Sequence, residues 1–155
     1  MPEPTGRQLT ATEERILSVA SRVMGAVNTW IFRASGGRLG NKFLYGAPVL
    51  LLITTGRKSG VPRVAPLIYG EDGENLVVVA SKGGSAHHPG WYRNLRAHLD
   101  VQVEIGSETR ALRARDATPE ERARLWPRMS AIYPPYDHYQ ARTVRTIPVV
   151  ILSPR

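Results

Sequence analysis

The chain has 155 residues, with 21 Lys and Arg against 13 Asp and Glu, a formal net charge of +8 and no cysteine. The missing cysteines exclude disulfides, thiol nucleophiles, zinc-finger sites and cysteine-ligated clusters, and no apolar run approaches the length that spans a bilayer. The length fits one domain over 1–155, and the basic balance points to an anionic partner: nucleic acid, an acidic membrane, or a phosphorylated or carboxylated small molecule.

The first 35 residues read as a tail and an amphipathic helix. "MPEPTGRQLTATEER" has no basic-then-apolar leader, so the default location is the cytoplasm. Thr10 and Glu13 have capping-box spacing. Ile16, Ala20, Val23, Val27 and Trp30 recur at helical intervals, and Gly36-Gly37 closes the pattern, which predicts a helix from about Glu13 to Arg33. Arg15 and Arg22 lie seven apart on one side. That allows peripheral contact with a membrane surface, but a helix packed over the domain core is the preferred reading.

Strands follow. "PVLLLITT" is short and apolar with β-branched ends, "GRKSG" supplies a turn, and "VPRVAPLIYG" returns. Pro62 and Pro66 restrict this returning strand to an edge or to irregular pairing. "EDGE" turns into "NLVVVAS", which ends near Lys82. "HPGWYRNLRAH" is a helical insert. "VQVEI" alternates, with Val101, Val103 and Ile105 on the inward face, and "GSE" turns it into "TRALRARD". "TPEERARLWPRMSAIY" opens with Thr118, Pro119 and a capping-box Glu121, and Pro127 is expected to kink or divide it. "YPPYDHYQ" reads as a semi-rigid loop, and "TIPVVIL" closes the chain. The fold class is mainly β, α+β: about six mostly antiparallel strands in a sheet that closes on itself, with peripheral helices and the long N-terminal one.

Few residue patterns offer direct chemistry. His87 and His88 are adjacent, His98 and His138 are isolated, and no carboxylates gather beside them, so no metal site is expected. G-x-S-x-G is absent, although Ser81 near Gly83-Gly84 is not dismissed as a nucleophile on pattern alone. Neither Walker nor G-x-G-x-x-G spacing occurs. The turn after the first strand is the exception. Arg57, Lys58 and Arg63 fall within seven positions among two glycines and Ser59. A glycine-containing turn can aim successive N–H groups at an anion, and Arg adds a planar fork. Lys82 is a candidate fourth cation. Tyr133, Tyr136 and Tyr139, three apart, either anchor a C-terminal segment to the core or wall a pocket. Trp91 and Asn94, at i,i+3, share a helix face. Asn94 is suited to a heterocycle's polar edge or to capping local backbone.

"LLLITTGRKSGVPRVAPLIY", "VVVASKGGSAHHPGWYRNL" and "YPPYDHYQARTVRTIPVVIL" resemble, in order, motifs of the deazaflavin-dependent nitroreductase family, also called the coenzyme F-420-dependent quinone reductase family. The resemblance implies a split β-barrel that binds coenzyme F-420, an 8-hydroxy-5-deazaflavin with a phosphodiester and a glutamate tail. It implies that Arg57, Lys58, Ser59 and Arg63 bind the phosphate, assisted by Lys82, and that Pro66, Ala80, Trp91 and Asn94 line the ring. Ser81, Tyr133, Tyr136 and Tyr139 match the substrate side, where a hydroxyl stabilises or protonates the anion left by hydride transfer. The implied acceptor is a small electron-poor molecule, a quinone or nitro compound, and a homo-oligomer that shares its cleft is compatible with so small a barrel. His98-Leu99 stands where family members often have Asn-Pro. Three other readings remain: a barrel using FMN, a protein that holds deazaflavin or lipid without turnover, and a basic nucleic-acid binder. The last is disfavoured because the aromatics form no exposed stacking row.

Overall fold

The computed structural model describes residues 9–16 and 44–155. Six antiparallel strands form a closed barrel: β1 (Val49–Thr55), β2 (Pro62–Asp72), β3 (Asn75–Val79), β4 (Asp100–Ile105), β5 (Glu108–Asp116) and β6 (Val149–Pro154). Their spatial order is β1-β2-β3-β6-β5-β4, and β4 closes onto β1. Among residues 44–155, three α-helices attach to it: α1 (Gly90–Ala97), α2 (Pro119–Ile132) and α3 (Pro135–Ala141).

The apolar runs explain two packed layers. Leu76 and Val78 of β3 face the barrel interior with Leu50, Leu52, Val101, Val103, Leu112, Ala114, Val150 and Leu152. The alternate residues Val77 and Val79 pack outward, with Val149 and Ile151 of β6, against Leu125 and Met129 of α2 and Tyr133 and Tyr136. Strands covered on both faces read as unbroken apolar sequence, which accounts for "NLVVV" and "VVIL". Each large aliphatic side chain so buried contributes roughly 1.5–3 kcal/mol. Inside the barrel, Leu95 and Tyr92 of α1 join the same cluster, so α1 is fastened by its apolar face.

The prolines of β2 sit where the sequence placed them. Residues from Pro62 to Ile68 pair with β1, whereas pairing with β3 begins at Tyr69. Along the first stretch β2 therefore has one strand neighbour, and the missing N–H of Pro62 and Pro66 breaks no second ladder. At Gly70, α2 comes close enough that a β-carbon would lie 2.8 Å from Met129 Sδ and 3.2 Å from Ile132 Cδ1. Glycine leaves room for that approach; a β-carbon would displace the flexible ends of these two side chains.

Three expectations are modified, and a fourth falls partly outside the described residues. Residues 11–16 are helical, and Thr10 and Glu13 exchange the two capping-box bonds, but the remainder of the helix expected to Arg33 lies outside the described residues. Pro127 does not divide α2, which runs continuously from Pro119 to Ile132. Pro127 is on the solvent side, where water can satisfy the carbonyl four residues back, while buried Leu125 and Met129 hold the helix to the barrel. The "PPYDHYQ" segment is the helix α3 rather than a loop, because Pro134 and Pro135 occupy the start, where proline's missing N–H has no helical partner anyway. Finally, β3 ends at Val79, so Lys82 stands in a following 3-10 turn, Lys82–Gly84, rather than at a strand end.

Candidate functional site

The turn from β1 to β2 is closed by its own backbone. Gly56 N–H donates to Val61 O at 2.9 Å, Gly60 N–H donates to Gly56 O at 2.8 Å, and Val61 N–H donates to Ser59 Oγ at 3.2 Å. The Ser59 hydroxyl accepts in that bond and keeps its own O–H to give. Thr54 pairs with Arg63, and the Arg63 side chain crosses back over Gly56. Arg57, Lys58, Ser59 and Arg63 are all exposed at this one turn. Among the described residues, none of the three cations has a carboxylate partner. Cations without an acidic partner are open to charge-assisted bonds from an incoming anion.

Asn94 of α1 reaches this turn from below. Its Oδ1 accepts the backbone N–H of Arg57 at 3.2 Å and Arg57 Nη1 at 3.0 Å, and its Nδ2 donates to Thr54 Oγ1 at 3.2 Å. Asn94 is 6% exposed and Thr54 2%. These bonds reach residues far along the chain rather than capping local backbone, and one amide N–H is left over. Trp91 lies on the same helix, half-buried against the barrel core and edge-on to Tyr92.

A second group forms around the chain between β3 and α1. Ala80 is fully buried and its N–H donates to Pro148 O. Lys82, Gly83 and Gly84 have φ of 44°, 62° and 79°, three left-handed residues in succession, the first of them not a glycine. A β-carbon at Gly84 would lie 2.7 Å from Tyr139 O, so α3 packs directly on this turn. Arg145 ties the turn down: Nε donates to Ser85 O at 2.7 Å, Nη2 to Ser81 O at 2.7 Å and Nη1 to Ala80 O at 3.2 Å. Arg142 Nη1 adds a bond to Gly83 O at 3.2 Å. Burial pulls the Arg145 guanidinium below its ordinary value. His88 Nδ1 lies 3.2 Å from Arg145 Nη1. Burial, and then Arg145 itself, hold His88 below its ordinary value, so the neutral ring accepts from the guanidinium. The Ser81 hydroxyl has no partner among the described residues. Glu14, in the helical segment 11–16, accepts from Ser85 Oγ at 3.1 Å and from Ala86 N–H at 3.0 Å.

The tyrosines pack beside this turn. Tyr133 and Tyr136 are 6% and 4% exposed, with ring centroids 5.1 Å apart. The Tyr133 and Tyr139 hydroxyls lie 3.2 Å apart. Burial raises the Tyr133 and Tyr136 phenols well above their ordinary value, so both remain protonated donors at neutral pH. Trp126 Nε1 and Ser130 Oγ both donate to Asp137, which locks α3 to α2.

The expected residues thus fall into two groups. Arg57, Lys58, Ser59, Arg63 and Asn94 share the β1–β2 turn, whereas Ala80, Ser81 and Lys82 share the β3–α1 connection with Tyr133, Tyr136 and Tyr139 alongside. Pro66 lies on β2 opposite Leu51 of β1, and Trp91 lies on α1 with Asn94, packed against the core cluster that includes Ala80. Sequence reasoning missed Arg142 and Arg145, whose signal is faint: two arginines in "ARTVRTIP" before a buried strand. Among the described residues no group of His, Asp and Glu could hold a metal ion, and no helix is long and apolar enough to cross a membrane.

Residues 24–154 match the family described as F420H(2)-dependent quinone reductase. A Mycobacterium tuberculosis (strain H37Rv) protein named for that family is 50% identical over 118 residues, 76% of this chain and 99% of its own. A solved structure of an F420-H2 dependent reductase superposes with a TM-score of 0.64 at 42% identity, covering 68% of this chain and 94% of its own. Another, described as a domain-swapped dimer, superposes with a TM-score of 0.65 at 37% identity over 81% of this chain and 98% of its own.

Proposed function

The chain belongs to the F420H(2)-dependent quinone reductase family, and on that premise we propose that it transfers a hydride from reduced coenzyme F-420 to a quinone. The observation that carries the reading is the β1–β2 turn. Three exposed cations and a hydroxyl belong to that one turn without carboxylate partners among the described residues, and Asn94 holds Arg57. That donor set fits a tail carrying phosphodiester and carboxylate charge.

The deazaflavin, when bound, supplies the hydride from its C5 carbon. The protein's own part is binding, orientation and charge. Arg57, Lys58, Ser59 and Arg63 grip the anionic tail, with Lys82 a further cation. Asn94 works mainly through Arg57, which it fixes by two bonds. Pro66, Ala80 and Trp91 supply apolar walls that exclude water. On the acceptor side, the Ser81 hydroxyl is available to donate to the oxygen on which charge develops. Protonated Tyr133 and Tyr136, with Tyr139 bonded to Tyr133, supply further phenolic hydrogen. Arg145 and Arg142 hold the turn that carries Ser81 and Lys82.

The assembly is a homo-oligomer in this reading, supported by the domain-swapped relative. Its location is the cytoplasm, at the inner face of the membrane where a lipid-soluble quinone is met. The test is an anaerobic titration of the purified protein with reduced F-420 and, separately, reduced FMN, followed by menadione. Saturable F-420 binding and menadione-dependent cofactor oxidation are expected. Preference for FMN overturns the cofactor, and tight F-420 binding without turnover makes the protein a carrier.

A further inference from the structure

Tyr45 has an unusual backbone conformation. Its φ is 65° and ψ 15°, left-handed backbone that bulky side chains rarely adopt. Gly46, beside it, has φ 69°, which shows the residue type that accepts such backbone without strain. Burial does not offset the cost at Tyr45, because the residue is 68% exposed. Strain retained at an exposed aromatic points to a contact outside the fold.

Its surroundings identify the contact. The Tyr45 ring lies 5.7 Å from that of Tyr133 at 80°, edge-to-face. Tyr133 meets Tyr139 through their hydroxyls, and Tyr139 packs on Gly84 of the turn that carries Ser81. Tyr45 therefore extends the tyrosine cluster outward. Within that cluster Tyr133 and Tyr136 are buried and Tyr139 is partly buried, so Tyr45 offers the open ring. An electron-rich phenol surface suits stacking with a planar, electron-poor ring. From this we infer that Tyr45 is a specificity-determining residue on which the quinone stacks, with Tyr133 bracing it from behind. This inference rests on the reductase reading above.

The test uses Tyr45→Gly and Tyr45→Phe in the full chain. Menadione contact is read by saturation-transfer NMR on the cofactor-free protein, alongside the thermal midpoint, F-420 affinity and menadione KM. For Tyr45→Gly the NMR signal falls at least about fivefold and KM rises about tenfold. F-420 affinity stays within about twofold, and the midpoint does not fall, because left-handed strain is relieved. Tyr45→Phe behaves as wild type. The inference is overturned by an unchanged signal and KM in Tyr45→Gly, or by a midpoint that falls together with F-420 affinity. Equal loss in Tyr45→Phe, or no menadione signal on the wild-type protein, also overturns it. Should the wild type contact menadione through Tyr45 yet fail to bind F-420, the cofactor reading fails while the aromatic contact stands.

Discussion

Asn94 Oδ1 accepts both the backbone N–H and a guanidinium N–H of Arg57, at 3.2 and 3.0 Å, across 37 residues of sequence. A buried amide on α1 thereby sets the direction of an exposed cation on the β1–β2 turn. Asn94→Ala removes those bonds and the one to Thr54, so stability is expected to fall by about 2 kcal/mol. Arg57 must then be ordered by the ligand itself, at a side-chain entropy cost of order 1 kcal/mol. F-420 affinity should weaken about five- to tenfold. Urea unfolding and fluorescence titration of F-420 check the two effects separately.

Lys58 and Tyr133 should separate binding from turnover. Lys58 is exposed at the turn and Tyr133 is buried beneath α3. Lys58→Ala should weaken F-420 binding by about tenfold or more, in line with a charge-assisted bond of roughly 1.5–3 kcal/mol. The loss should shrink at high salt, and stability should stay constant. Tyr133→Phe breaks the hydroxyl pair with Tyr139, so menadione turnover should fall several-fold with little change in F-420 affinity. Paired titrations and steady-state rates decide; the opposite pattern would remove the division of the site.

Arg145 bonds three carbonyls of the β3–α1 connection, those of Ala80, Ser81 and Ser85. Arg145→Ala should cost roughly 3 kcal/mol, about one for each bond. Arg145→Lys keeps the charge but has no planar fork to span the carbonyls. It should recover part of the stability while menadione turnover stays low. Thermal unfolding with kcat measured on both variants is the check, and full recovery of turnover by Lys would show that charge alone matters.

Acid should loosen α2 at its start. Glu121 accepts from Arg115 at 2.7 and 2.8 Å and from Thr118 N–H at 3.0 Å. Chiefly through Arg115, its carboxyl is lowered from 4.5 to about 2. A depressed carboxyl adds stability that is complete above its unfolded value and lost as pH falls through the folded one. The loss should therefore fall between about 4.5 and 2. Asp72, lowered mainly by its bond to Arg124, adds to the same trend. Acid titration followed by circular dichroism should show this slope flattened in Glu121→Gln.

Local features were readable from the residues because their causes are local. Thr118, Pro119 and Glu121 announce the start of α2 by themselves, and Thr10 with Glu13 does the same at residue 11. The alternation of "VQVEI" predicts the buried Val101 and Val103. Pro127 and "PPYDHYQ" misled because local rules give proline a cost without saying what packing holds the helix around it. Arg142 and Arg145 were not legible, since a surface arginine and one that grips carbonyls some 60 positions away look alike in a string.

The amino-acid order alone determined six strands, their turns, the start of α2 and a cationic hairpin, because backbone preference and apolar periodicity act over a few residues. Which strand lies beside which, and which side chain meets which carbonyl, was decided only in three dimensions. β3 sits against β6 rather than β4, and Asn94 reaches Arg57, because both contacts depend on closing a barrel whose register no single segment encodes.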